Sequence, residues 1–345
     1  MTPAPLDPES STVNRSTPSE DTMTTPRGEW APEFVERIAG LEGIHFDHAD
    51  PSPEAIAAMD ALGVPMGPRE AGGLSTEDIE ITGPHGAVSV RVYMPREASD
   101  RSGTAFIWVH GGGFVAGDLD MPEADEAARG IAARSGAHVY SVDYRLCVDG
   151  VHHPVPHDDC WAVFRALAER ADEWGIDPSR IAIGGASAGG NLAASVALRA
   201  KEEGVPLAFA ALIYPVLHPN LPEPSAELAA CLARTPDAIR FPPAVTTMLN
   251  ENLLGGPVSS ATPLAYPGLA NDLSGFAPTY IETSEFDDLR SSGERFAEQL
   301  RHDGVRVDYV VAAGVPHGHL NTVGSPYASA SFARIARRLA DLASA

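Results

Sequence analysis

Short apolar runs alternate along most of this chain with stretches whose apolar residues fall at helical spacing. Ile79-Glu80-Ile81 and Val88-Ser89-Val90-Arg91-Val92-Tyr93 alternate apolar with polar on either side of Pro84-His85-Gly86, the pattern of an antiparallel hairpin. Ala105-Phe106-Ile107-Trp108-Val109, Val139-Tyr140-Ser141-Val142 and residues 207–213 are instead continuous apolar runs. Runs of that kind suit central parallel strands covered on both faces. Further strands are predicted over 180–184, 278–283 and 305–311, and helices over 159–174 and 187–203. Strand and helix in alternation predict a mostly parallel sheet with right-handed crossovers, flanked by helices.

Two segments break that rhythm. From Trp30 to Ala71, Phe34, Ile38 and Leu41, then Ile56, Met59 and Leu62, mark two helices, with Pro32 and Pro53 near their starts and Gly63 and Pro65 closing the second. Between Val216 and Pro278 a series of prolines, from Pro219 to Pro243, interrupts short helical pieces over 226–232 and 245–254. An insertion this long between two strands is most often functional. The chain therefore divides into a disordered tail over 1–28, cap helices over 29–75, a catalytic domain over 76–217 and 261–345, and a cap insertion over 218–260. Phe34, Phe241 and Met248 look exposed in this reading. The tail is rich in Pro, Ser, Thr and acids, and lacks the basic start and apolar centre of a secretory signal.

Charge narrows the partners. The net charge of −23 argues against nucleic acid or an anionic membrane, because both are polyanions. No run of 18 apolar residues is present to span a bilayer. Cys147, Cys160 and Cys231 form no C-x-x-C and cannot all pair, so the expectation is reduced thiols in a cytoplasm. A homodimer is compatible with the sequence.

The chemistry sits in four motifs. Gly185-Ala186-Ser187-Ala188-Gly189 lies between an apolar run and a good helix former, the strand, turn and helix that a G-x-S-x-G nucleophile elbow requires. Glycines at 185 and 189 fit because a Cβ at so tight a bend would collide with its neighbours. His110-Gly111-Gly112-Gly113 ends an earlier strand and can offer backbone donors to an oxyanion, with Gly111, Gly112 and Ala188 as the expected hole. An acid and a histidine should follow in that order after later strands. Glu285-Phe286-Asp287-Asp288-Leu289-Arg290 and Pro316-His317-Gly318-His319 supply them.

In these motifs the chain resembles the bacterial hormone-sensitive-lipase-like esterases of the α/β-hydrolase fold, from about Ile79 to the C-terminus. Asp143-Tyr144-Arg145-Leu146 and Asp272-Leu273-Ser274-Gly275 extend the likeness. The resemblance implies a cofactor-independent carboxylesterase with a helical cap, acting on small acyl esters. It places the nucleophile at Ser187, the acid at Asp287 ahead of Asp288, Glu282 and Glu285, and the base at His317 ahead of His319. Three departures stand out. Ala186 replaces the usual Asp or Thr, Cys147 to His153 replaces an Ala-Pro-Glu continuation, and His319 replaces an aromatic.

Other readings remain. The same triad can cleave an amide, lactone or carbonate, and some members of the fold only bind ligands. Gly111-x-Gly113-x-x-Ala116 matches a dinucleotide fingerprint formally, but Asp118 to Pro122 opens no helix to receive a pyrophosphate. His152, His153, His157, Asp158 and Asp159 have metal-ligand chemistry, yet Pro154 and Pro156 should keep them off one helical face. No cofactor and no metal is expected.

Overall fold

The computed structural model of the protein describes residues 25–46, 51–70, 73–97 and 103–344. Most of the tail expected over 1–28 lies outside them. Strands β1 (Leu74–Gly83) and β2 (Gly86–Pro95) form the hairpin that alternation predicts, closing at the Gly83–Gly86 pair around Pro84-His85. They are followed by β3 (Ala105–Val109), β4 (His138–Asp143), β5 (Ile181–Ala186), β6 (Phe209–Ile213), β7 (Thr279–Phe286) and β8 (Val307–Pro316). All eight join one sheet in the order β1-β2-β4-β3-β5-β6-β7-β8. Only β2 runs against its neighbours; from β4 to β8 every pairing is parallel.

Burial explains the composition of the strands. Every residue of β3, β5, β6 and β7 is buried. Helices α3 (Pro122–Ser135) and α9 (Pro326–Ser344) cover one face, packing Ile131, Phe332 and Ile335 against Phe106, Trp108 and Ile213. Helices α4 (Val155–Glu169), α5 (Ala188–Glu203) and α8 (Arg290–His302) cover the other, with Phe164, Leu192 and Phe296 against Ile107, Ile183 and Ile281. The result is the three-layer α/β-hydrolase arrangement. Because the helices shield both faces, the carboxyl ends of the strands are where a ligand can reach the sheet.

The remaining helices gather at that end. They are α1 (Pro32–Ala39), α2 (Pro53–Leu62), α6 (Ala226–Leu232) and α7 (Pro243–Leu254). Phe34, Ile38 and Leu41 form a separate apolar cluster with Ala238 and Ile239 of the insertion, Ala312 and Val315 of β8, and Tyr327 of α9. Phe34, which looks exposed in sequence, is therefore buried at 1% exposure. Its partners lie some two hundred residues or more away in the chain, so no local pattern could reveal them. Met248 does remain exposed. Among the described residues no helix is long and apolar enough to cross a membrane.

Phe34→Ala should remove the centre of this cluster at a cost of about 3 kcal/mol. The expected result is a lower urea midpoint. Hydrogen exchange should loosen over residues 30–46 and 237–241 while β3 and β5 stay protected.

Candidate active site

Four residues of interest each stand immediately after the carboxyl end of a parallel strand: His110 after β3, Ser187 after β5, Asp287 after β7 and His317 after β8. The fold alone therefore brings together residues spread over more than two hundred positions.

Ser187 occupies the elbow in a sparsely populated backbone conformation, φ 55° and ψ −118°. Its N–H donates to the Ile213 carbonyl at 2.9 Å, which anchors the strained residue to β6. The flanking glycines are required for the reason that the sequence suggests. A Cβ at Gly185 would lie 2.3 Å from the Gly189 carbonyl oxygen, and one at Gly189 would lie 2.1 Å from that of Val109.

Ser187 Oγ lies 2.9 Å from His317 Nε2, and His317 Nδ1 lies 2.7 Å from Asp287 Oδ2. The Asp287 carboxylate fixes the proton on Nδ1 and leaves Nε2 to accept the serine proton. Burial pulls the His317 imidazole toward neutrality, but the charge of Asp287 and its hydrogen bond outweigh this and raise its pKa above the ordinary value. The ring is held between Tyr214 and Phe241, with centroids 4.8 Å away on each side.

The rival residues are all engaged elsewhere. Asp288 takes Arg240 through two bonds of 2.7 Å and also accepts the Phe241 N–H. Glu282 pairs with Arg334, and Glu285 accepts the N–H groups of Gly28 and Gly314. His319 bonds Ser284 and Ser331 and packs its ring against Tyr214.

One expectation needs correction. The Gly111 N–H donates to Glu123 Oε1 at 2.6 Å, so it is not free to hold an oxyanion. Gly112, Gly113 and Ala188 border the cavity instead, and among the described residues no protein group accepts from their N–H groups. Gly113 was not among the residues expected from sequence; the motif gave three glycines but not which two border the cavity. His110 props the loop, its buried ring stacked 4.5 Å from Tyr144 and its Nδ1 bonded to the Gly111 carbonyl.

Above Ser187 lies a cavity of about 340 Å³, lined mainly by apolar groups including Phe114, Val115, Met121, Phe241, Leu249 and Leu289. The last three come from the insertion and the acid's loop. A smaller cavity of about 60 Å³, lined by His153, Pro154, His157 and Trp161 among others, lies elsewhere and contains none of the residues above. There the structure departs from expectation again. Pro156 sits in the first turn of α4 without breaking it, and His153 Nδ1 comes within 3.2 Å of His157 Nδ1. Among the described residues no group of three or more His, Cys, Asp or Glu could hold a metal ion.

Comparison with known proteins agrees with this fold. A family model described as the alpha/beta hydrolase fold matches residues 106–321. Esterase LipI of Mycobacterium tuberculosis is 36% identical over 258 residues, 73% of this chain and 77% of that protein. Carboxylesterase NlhH of the same organism is 39% identical over 241 residues, 68% and 72% of the two chains. Among solved structures, the hyperthermophilic esterase from the archaeon Pyrobaculum calidifontis aligns with a TM-score of 0.70 at 33% identity, covering 79% of this chain and 87% of that one.

The electrostatics give a measurable expectation. The His317 imidazole should titrate above about 6.5, followed by NMR of its ring resonances. Asp287→Asn removes the largest of the contributions that raise it, leaving only Glu123 and Asp288 to oppose burial, so the titration should move to lower pH. An unmoved titration would mean that Asp287 does not set the charge of this ring.

Proposed function

This chain belongs to the hormone-sensitive-lipase-like esterases of the α/β-hydrolase fold and is a carboxylic ester hydrolase, and we propose that it cleaves small acyl esters through a serine-linked acyl-enzyme. In this reading His317 takes the Ser187 proton as Oγ attacks the ester carbonyl. The developing oxyanion accepts hydrogen bonds from the N–H groups of Gly112, Gly113 and Ala188. His317 then protonates the leaving alcohol, and a water repeats the cycle to release the acid and restore the serine. Asp287 holds the imidazole tautomer throughout and stabilises the transient imidazolium.

The observation that carries this reading is the hydrogen-bond chain from Ser187 through His317 to Asp287, at the floor of a mostly apolar cavity. Backbone donors fixed before the substrate arrives need no reorganisation, and each such donor is worth on the order of 100-fold to 1,000-fold in rate. The cap supports the preference for small acyl groups. Leu249 of α7 hangs directly over Gly113, where even an added Cβ would come within 3.3 Å of it, so the space beyond the oxyanion loop is short. The apolar cover also excludes water, which strengthens every hydrogen bond beneath it. Three buried free thiols are consistent with work in a reducing compartment, and we assign the protein to the cytoplasm on that ground.

Ser187→Ala is expected to fold normally, to lose ester hydrolysis and to escape labelling by a fluorophosphonate. Labelling that persists at another serine would refute the assignment. Across p-nitrophenyl esters from acetate to palmitate, kcat/KM should be highest for short chains and lower by on the order of 10-fold or more at the long end. Activity should survive prolonged dialysis against EDTA, because no step above uses a Lewis acid.

A further inference from the structure

Glu123 has no part in the acyl transfer just described, yet it is 2% exposed and borders the same cavity. An acid in the first turn of a helix ordinarily serves the helix terminus. This one turns away from α3. Its Oε1 accepts the Gly111 N–H at 2.6 Å, while Oε2 accepts the Tyr214 hydroxyl at 2.5 Å and the Asn321 side-chain amide at 3.2 Å. Three donors converging on two oxygens suit a carboxylate, which is an acceptor-only group.

We propose that Glu123 is a positioning residue that sets the orientation of the oxyanion loop, an inference that rests on the esterase reading above. The Tyr144 hydroxyl donates to the carbonyls of His110 and Gly111, 3.1 Å from each. The Gly111 carbonyl belongs to the same peptide unit as the Gly112 N–H. Pinning that oxygen toward Tyr144 points the Gly112 N–H the opposite way. Glu123 pins the preceding peptide unit through the Gly111 N–H. Two successive peptide planes are thus fixed by two buried side chains, and the next N–H groups face the cavity. The fit is tight: a Cβ at Gly111 would lie 2.5 Å from Glu123 Oε1 and 3.0 Å from Ser187 Cβ.

The same carboxylate touches the base indirectly. Tyr214, which donates to Glu123, packs its ring against His317. The charged and titratable groups facing His317 are Asp287 at the end of β7, Asp288 with its Arg240 partner, Tyr214 after β6, and Glu123 from α3. The negative charge of Glu123 favours the imidazolium. Removing it should therefore extend the neutral, active form of His317 to lower pH.

The test uses the full-length enzyme, with kcat expressed per active site titrated by the p-nitrophenol burst. Glu123→Ala should lower kcat on the order of 100-fold with KM changed less than about three-fold, because the donors act mainly in the transition state. Glu123→Gln keeps an oxygen for the Gly111 N–H and should recover most of that loss. Its acid limb of kcat/KM should nevertheless lie at lower pH than in the wild type. If Glu123→Ala does not fold, the isosteric Gln variant still carries the pH measurement. A lower melting temperature with unchanged kcat per site and an unmoved acid limb would overturn the proposal, leaving Glu123 a structural residue only. Ser187→Ala, assayed alongside, separates the two levels. Activity persisting there refutes the esterase site, whereas wild-type behaviour of the Glu123 variants in a Ser187-dependent enzyme refutes only the positioning role.

Discussion

The arrangement of this site depends on how closely α5 can begin behind β5. Backbone packs on backbone there, because Gly185 and Gly189 leave no side chain between the elbow and the last residues of β3. That contact forces Ser187 into its left-handed conformation, a strain of about 1–3 kcal/mol that the surrounding sheet must hold. It also lifts the hydroxyl above the sheet edge and opens the first turn of α5, with its free Ala188 N–H, toward the cavity. The loop after β3 rests on the same surface, which brings Gly112 and Gly113 to the opposite side of the space above Ser187. The exposed Ser187 hydroxyl and the backbone N–H groups across from it are therefore two consequences of one backbone contact.

A second constraint is electrostatic. The end of β7 and the turn after it carry Glu282, Glu285, Asp287 and Asp288, all buried. Like charges so close together would disfavour ionisation, and the structure gives each a different partner. Arg334 and His319 hold Glu282 well below the usual carboxylate range despite its burial. Glu285 takes two backbone N–H groups, and Asp288 takes Arg240. Of the four, only Asp287 hydrogen-bonds His317. The partners of its neighbours also tie the segment before β1 and the insertion before β7 to the loop after β7: Gly28 bonds Glu285, Trp30 stacks 3.7 Å from Phe286, and Arg240 comes from the insertion. These two segments thus converge on the residues beside Asp287.

Legibility in the sequence followed the range of the forces involved. The continuous apolar runs gave the central strands, since burial on both faces leaves a local mark. Motif order gave Ser187 and the two loops that should carry an acid and a histidine, while the family resemblance chose Asp287 over Asp288 and His317 over His319. The choice between Gly111 and Gly113 was not legible. It depends on a carboxylate twelve residues on, and Pro122-Glu123-Ala124-Asp125 reads as an ordinary acidic helix start. Glu123, Asp125 and Glu126 are all buried, and nothing in a charged run announces that. Phe34 failed for the same reason, since its partners belong to the insertion and to the last strand.

The histidines and acids from His152 to Asp159 have metal-ligand chemistry in sequence, and the hydrogen bonds of their histidines give the segment another role. His157 is buried, and burial pushes its pKa down to about 3, so the ring is neutral. Asn191 donates its amide to the carbonyls of Val216 and Ala265 and turns its oxygen to His157 Nε2. The single ring proton of His157 is therefore on Nε2, and its Nδ1 lone pair accepts from His153 Nδ1. That lone pair is already occupied and is unavailable to a cation. The rest of the segment grips the end of α7: His153 N–H donates to Leu253, His152 Nδ1 bonds the Asn252 carbonyl, and the Asn252 amide donates to Cys147. Since α7 carries Leu249 over Gly113, the segment that departs most from the family pattern holds the helix that borders the cavity.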